Sequence, residues 1–530
     1  MKRKLRFLPL LLLLLGIMCI CTACNGGGGA NDPSAEQLKF ELKDDGTYAV
    51  SIGTAVEQEE IVIPSTYKDK AVTEIAYQGF RSRNLKHITI PSSITNIGWG
   101  AFSGCVQLND LVIPDGITMI HPATFEGCLS LTNISLPDRI QSIGAKAFYK
   151  CRSLTSIEIP SSVVSIAEKA FAECTALTAV TIPNSVTSIG YKAFYLCESL
   201  SDFNIPGGLT TISWSTFYGC TSIKSIEIPH GVTTIEYSAF ADCSNLMHIA
   251  IPDSVTSIGD GAFAECKSLV SITVPKHITS IGENAFDGCY KLVEVINRSS
   301  IPITAGQSTF GNIAFNAQEV HKEDSSKIIN QNEFLFYSYN EVNYLLSYLG
   351  TETELLLPES FNGAGYEIHQ YAFSDQEKLA SVVIPASVSA IGIHAFSGCN
   401  DLASVTLSRG AVSIGDYAFA ECKSLTAFEI PDSVTTIGKY TFSDCEALAE
   451  ITLPDSILSI GEYAFSNCKL LTSAVFEVPH IWWCATPTDH TLGTFLPGEQ
   501  LIDAENAATF LSVTFSSRTW MREQPEIQPD

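Results

Sequence analysis

Residues 177–197 read Leu177-Thr178-Ala179-Val180-Thr181-Ile182-Pro183-Asn184-Ser185-Val186-Thr187-Ser188-Ile189-Gly190-Tyr191-Lys192-Ala193-Phe194-Tyr195-Leu196-Cys197. The same sentence returns every 23 residues on both sides of this stretch. Its cysteine falls at Cys105, Cys128, Cys151, Cys174, Cys197, Cys220, Cys243, Cys266 and Cys289, then again at Cys399, Cys422, Cys445 and Cys468. The proline (Pro91 to Pro275, and Pro385, Pro431 and Pro454, with Ser408 filling one slot) and the phenylalanine (Phe102 to Phe286, and Phe396 to Phe465) keep the same step. A period this strict means stacked copies of one small unit, a solenoid.

The physics of one unit predicts its path. Leu177, Val180 and Ile182 follow an L-x-x-I-x-I pattern whose alternating part is a short strand with one buried face. Pro183 ends the strand because it has no N–H for a ladder. Val186 and Ile189 turn inward on the return. Gly190 suits a corner where a side chain would obstruct or φ is positive. Ala193 and Phe194 sit in a turn or short 3₁₀ segment, with the ring filling the coil interior. One coil cannot bury its own top and bottom; a stack can, at about 4.8 Å per coil if strands pair directly.

The L-x-x-I-x-I-P block (Leu154 to Pro160) and the S-I-G-x-x-A-F-x-x-C block (Ser142 to Cys151) resemble the BspA-like branch of the leucine-rich repeat superfamily. The resemblance covers roughly residues 38–476. It implies a β-rich repeat solenoid of 23-residue units and a surface protein, some relatives of which bind matrix or host proteins and mediate adhesion. The chain departs from the common leucine-rich pattern after the strand, where Ser93, Ser162, Ser185, Gly231 and His277 stand in place of Asn or Cys, so no asparagine ladder is implied.

Regular cysteines in an exported chain raise the question of disulfides. Equivalent cysteines in neighbouring coils are close enough to pair, but their side chains should point inward along parallel vectors, and nine in the first series would leave one over. They are read as buried free thiols behaving as small hydrophobes. No histidine shares their register at ligand spacing, so no metal is expected, and no cofactor is implied. Cys484 is off register beside Trp482 and Trp483 and reads as packing of a terminal cap.

The N-terminus reads as a signal peptide over residues 1–23, with Lys2, Arg3, Lys4 and Arg6 before an apolar stretch from Phe7 to Ile20. That stretch is short for a membrane span. It ends in Cys21-Thr22-Ala23-Cys24, which resembles a bacterial lipobox with Cys24 as the lipidated residue, although Cys21 replaces the usual Leu, Val or Ile. Cleavage after Ala23 without lipidation, giving a secreted chain, is the alternative. Residues 24–37, with Gly26 to Gly29, form a flexible tether. Removing residues 1–23 takes four positive charges from a net charge of −26, leaving −30. So acidic a chain argues against nucleic acid and against electrostatic docking on anionic lipid.

The repeat breaks between about 297 and 357. Phe40 to Gly53 before Ile61-Val62-Ile63-Pro64 parallels Phe334 to Gly350 before Leu355-Leu356-Leu357-Pro358, and both openings are followed by a longer unit of 27 residues to the next proline. The chain therefore reads as two capped modules, 38–321 and 333–475, joined by an exposed linker at 322–332 and closed by a C-terminal cap at 476–530. Asp44-Asp45-Gly46 reads as a hairpin turn. The aromatic residues of 476–530 read as the core of that cap, and Ala504 to Leu511 as a short helix.

Function then falls to the outward strand positions. Two rows in the first module, taken together, offer His87, Thr89, Asp110, Asn133, Glu158, Thr181, Asp202, Asn204, Glu227, His248 and Thr273 as a broad, mildly acidic face. Small polar side chains are also what any solvated sheet needs. The ten histidines form no metalloprotease motif, and no G-x-S-x-G elbow or phosphate loop appears. With no catalytic constellation in view, the resemblance to BspA-like proteins implies a non-catalytic, surface-tethered binding protein with an extracellular or host protein as partner. A structural spacer without a soluble ligand is the second reading. Accessory glycan capture is the third, ranked last because the outward rows hold no aromatic platform.

Overall fold

Each 23-residue unit closes one turn of a β-solenoid, and neighbouring turns pair in register. A computed structural model describes residues 37–55, 57–322, 325–479, 482–485, 493–496 and 498–522. Cys24, the signal peptide and nearly all of the tether lie outside these residues. The L-x-x-I-x-I segments form the expected parallel ladder: Ser156–Glu158 pairs with Ala179–Thr181, and Ser225–Glu227 with His248–Ala250. The return path forms a second parallel ladder that periodicity did not foretell. Ser165–Ile166 pairs with Ser142–Ile143 on one side and Ser188–Ile189 on the other. Most coils thus contribute two short strands, whereas those at residues 110–112 and 133–135 make only isolated bridges on the first path, and the segment carrying Ala193 and Phe194 is turn rather than 3₁₀.

The interior is built in columns. Phe80 through Phe286 stack coil upon coil with centroids 5.2–5.8 Å apart. All thirteen register cysteines are free and buried, as is Cys484. They do more than fill space. Each thiol reaches the carbonyl of the aromatic residue one coil back in the stack, as in Cys197 Sγ to Phe171 O at 3.1 Å, so it ties its coil to the preceding one. Serine does the same after the strand: Ser162, Ser185 and Ser254 donate to Ile140 O, Val163 O and Val232 O at 2.6–2.8 Å. The position is not serine in every coil, since Gly116, Arg139, Gly208, Gly231 and His277 fill it elsewhere in the first array, so these bonds occur coil by coil rather than as a continuous ladder.

Gly190 is required by close approach alone. A Cβ there would lie 2.5 Å from Glu168 N of the neighbouring coil, and its φ is not in the left-handed region. The left-handed corners fall at two other positions of the coil, Lys192 (φ 56°) and Leu196 (φ 55°), and mostly on residues with side chains. The repetition of this geometry in every coil holds a conformation that is unfavourable for an isolated residue.

Two apolar interiors are present, one from Leu38 to Ala317 and one from Phe334 to Trp520. The first opens with the hairpin Lys39–Leu42 and Tyr48–Ser51, whose turn holds Gly46 at φ 80°. The second opens with the hairpin Phe334–Tyr339 and Val342–Tyr348. At the far end Trp482–Ala485, Gly493–Leu496 and Thr519–Met521 cover the last coil. Trp482 and Trp520 are buried there, whereas Phe495, expected in the cap core, is exposed because it lies on the outer face of a terminal strand. Ala504–Thr509 is helical, capped by Asp503, and runs into a π-helical turn at Phe510–Thr514.

The described part of the segment between the arrays, residues 325–332, makes defined contacts. Ile329–Gln331 pairs with Phe334–Tyr339, and Lys327 N and Ser326 Oγ both donate to Glu294, a fully buried carboxylate that also meets His321 Nε2 at 3.1 Å. Val270 and Val293 of the first array pack with Leu335, Tyr337 and Leu346 of the second hairpin. Lys291 Nζ donates to Ala372 O at 3.1 Å, and Tyr290 stacks on Tyr371 at 4.5 Å.

Candidate functional site

The outward positions of the first ladder are set by strand alternation. In Ser156–Glu158, Ile157 turns inward and Ser156 and Glu158 face solvent. Of the residues expected on this face, all are exposed except Thr273, which is half-buried. His87, Thr89, Asp110, Asn133 and Glu158 converge on one shallow hollow of about 790 Å³, lined also by Val112, Ser135 and Asp138. His87 Nδ1 lies 2.9 Å from Asp110 Oδ1, a contact between adjacent coils. Val112, the most exposed large apolar side chain among the described residues at 78%, stands among these polar groups.

The rest of the row divides. Asn204 and Glu227 line a second hollow of about 400 Å³ with Asn184 and Ser225. Asn204 also supports the fold. Its amide donates to Ile182 O at 2.8 Å and accepts from Ile182 N at 3.1 Å, so its side chain completes the ladder beyond the two-residue strand Asp202–Phe203. Thr181, Asp202, His248 and Thr273 line neither hollow.

Burial removes the thiols from chemistry. It pushes Cys174 and Cys220 up to about 12, the opposite of what a nucleophilic or metal-binding thiolate needs. Among the described residues no group of His, Cys, Asp and Glu is arranged to hold a metal ion. No helix of the described residues is long and apolar enough to cross a membrane.

Residues 55–175, 141–270, 256–349 and 366–480 match the family described as BspA type leucine-rich repeat region. The chain belongs to that family. Among solved structures, this BspA-type chain is similar to a leucine-rich repeat protein of Bacteroides ovatus: 27% identity over 83% of this chain and 92% of that one, TM-score 0.40. It is also similar to a leucine-rich cell surface protein of Faecalibacterium prausnitzii, with 26% identity over 86% of this chain and 96% of that one, TM-score 0.30. A leucine-rich repeat protein of Treponema pallidum is 27% identical over 44% of this chain and 89% of that one, TM-score 0.30. A search of the curated proteins gave no match. Leucine-rich repeat solenoids of this kind are typically non-enzymatic scaffolds for protein–protein interaction, and their extended face is the binding surface.

The second ladder carries a feature that the strand pattern of the sequence does not bring out. The residue after the corner position (Gly98 and Gly190 in two coils, Ala76, Ser213 and Glu236 in three others) is aromatic and exposed in five coils of the first array, at Tyr77, Trp99, Tyr191, Trp214 and Tyr237. The second array fills the next position instead, with His394, Tyr417, Tyr440 and Tyr463 stacked face to face at 4.5–4.8 Å. The signal is present in the sequence as a 23-residue aromatic spacing. It is hidden because the return path does not look like a strand, so nothing marks its outward positions.

Proposed function

We propose that this BspA-type solenoid recognises a protein partner outside the cell through the outward face of its first ladder, centred on the hollow lined by His87, Asp110, Asn133 and Glu158. The observation that carries this reading is the convergence of these residues, with the exposed Val112, on one open depression of about 790 Å³. An apolar point ringed by hydrogen-bonding groups is the usual composition of a recognition patch. The floor is made of stacked coils joined by isolated bridges, His87 to Asp110 and Val112 to Ser135, over a fully packed interior.

We infer further that each array with its opening hairpin is one module, and that Cys24 anchors the chain by lipid at the outer side of a membrane. The acidic mature chain and glycine tether favour a domain held away from an anionic surface.

The test is capture of extracellular-matrix and host-cell proteins by immobilised residues 25–530, repeated with His87→Ala, Asp110→Ala and Glu158→Ala combined. Saturable binding by the parent and its loss in the triple variant is the expected result. Equal binding by both would move the site elsewhere. For the anchor, a fatty-acid label should enter the full chain and not the Cys24→Ser variant.

A further inference from the structure

The exposed aromatic column of the first array lies in the turns that follow the second-ladder strands, away from the first-ladder hollow. Two of the chain's five tryptophans, Trp99 and Trp214, stand half exposed in it, at 55% and 50%. Trp482 and Trp520, by contrast, are buried in the terminal cap. Other coils satisfy this position with small or polar residues (Pro122, Ala145, Glu168, Asp260 and Glu283), so folding does not demand a large ring there. Leaving such apolar area in water in two separate clusters is what a binding surface does.

The rings are arranged to receive a ligand on their faces. Tyr77 and Trp99 meet edge-on, with centroids 6.3 Å apart and planes at 86°. Trp214 and Tyr237 meet at 5.6 Å and 87°. In an edge-on pair one ring keeps its π-face free, unlike the parallel stack of Tyr417, Tyr440 and Tyr463, where inner faces cover one another. Tyr191 is partly screened by Lys169 Nζ, 5.8 Å from its centroid, and its ring lies 6.4 Å from Trp214 at 33°, so the three rings form one continuous group in which Trp214 and Tyr237 are the more exposed. Beside them lies a shallow hollow of about 410 Å³ lined by Thr234, Glu236, Ser257 and Asp260.

The polar groups choose between ligand classes. Glu236 Oε2 accepts from Trp214 N at 2.9 Å, and Asp260 Oδ1 accepts from Glu283 N at 2.9 Å. Those backbone bonds fix each carboxylate, and a carboxylate has about four acceptor sites, so capacity remains. Flat π-faces next to anchored carboxylates and hydroxyls match a sugar: its C–H face packs on the ring and its hydroxyls donate to the acid. A proline-rich peptide offers carbonyl acceptors and few donors, so it meets this acceptor-rich rim poorly. An anionic polymer is repelled by it. The two clusters share one register position of the coil stack, with Trp99 and Tyr191 four coils apart, about 19 Å at 4.8 Å per coil. A linear polymer parallel to the solenoid axis reaches both.

We propose that the second-ladder column Trp99 to Tyr237 is a binding site for a neutral polysaccharide chain, with Trp214 and Tyr237 as the main stacking platform, Trp99 with Tyr77 as a second, and Glu236 and Asp260 as hydroxyl acceptors. The test is native affinity electrophoresis of the full chain in gels containing mixed-linkage β-glucan or galactomannan. Polygalacturonate serves as the anionic control and a polyproline peptide as a competitor. At least one neutral polymer should retard the chain and blue-shift its tryptophan fluorescence. Trp214→Ala should weaken retardation at least tenfold and Trp99→Ala by less, at unchanged melting temperature. The triple variant of the first-ladder hollow should bind as the parent does. The proposal is overturned if neither neutral polymer retards the chain, or if the Trp99→Ala/Trp214→Ala double variant is retarded equally. Displacement by polyproline, or a chain that self-associates through these rings, overturns it too.

Discussion

The interior of the coil stack and the junction between the two arrays bury side chains by opposite rules. Within the stack each coil repeats its neighbour: phenylalanine on phenylalanine, a thiol on the preceding phenylalanine carbonyl, Ile on Ile. No ionised group is needed, and stability is close to a sum of identical interfaces. At the junction every contact occurs once. Glu294 is fully buried beneath His321, Ser326 and Lys327, Lys291 reaches Ala372 O, and His369 is buried against Tyr344. Repetition supplies stability, whereas the unique polar contacts fix how the second array meets the first. Burying such groups is costly unless each finds a partner, so they specify one arrangement.

The largest expected effect lies in the stack. Phe194 is fully buried between Phe171 and Phe217. Phe194→Ala should cost about 3–5 kcal/mol, as large aromatic truncations in cores do, and the loss should not vary between about pH 4 and 8, since no titrating group is removed. Chemical denaturation at two pH values reads this; a near-parental midpoint would mean the rings are not the interior.

The junction should answer to acid. Burial depresses the His369 imidazole to about 4, with the nearby Lys291 ammonium also disfavouring its protonation. A histidine held neutral in the fold contributes stability that is fully present above its ordinary value near 6.5 and is lost as pH falls through about 4. The size is on the order of 3 kcal/mol across that window. Differential scanning calorimetry of the parent against His369→Gln should show the parent losing more stability between about pH 6.5 and 4. Identical slopes would remove His369 from the comparison.

A smaller effect returns to the stack. Ser185→Ala removes one inter-coil hydrogen bond to Val163 O and should cost about 0.5–1.5 kcal/mol. Ser162→Ala and Ser254→Ala should match it, because each serine makes the same bond in its own coil. Three unequal values would show that the coils are not equivalent.

Much of this is legible in the sequence because the repeat reports each interior position many times over. Val180, Ile182, Val186, Ile189, Phe194 and Cys197 all bury as the pattern predicts. Residues whose role depends on the adjacent coil are harder to read. The pattern allows two explanations of Gly190, and only the backbone of Glu168 beside it decides between them. Asn204 looks like a surface residue, yet its amide completes a strand pairing. The outward rows are visible on the first ladder but not on the second, since Ser188–Ile189 is two residues long and carries no alternation to detect. The junction is opaque because Lys291, Glu294 and His369 belong to no period and meet only in three dimensions.

The 23-residue register marks are internal struts, which leaves the residues between them on the surface. Cysteine reactivity tests that claim most directly. Residues 37–530 contain fourteen cysteines, all free and buried. Thiol titration of this fragment without reductant should find essentially none reactive in the native state and all fourteen after denaturation. Thiols that appear only after reduction would mean disulfides between coils, and thiols that react in the native state would place the ladder at the surface; either result contradicts the account.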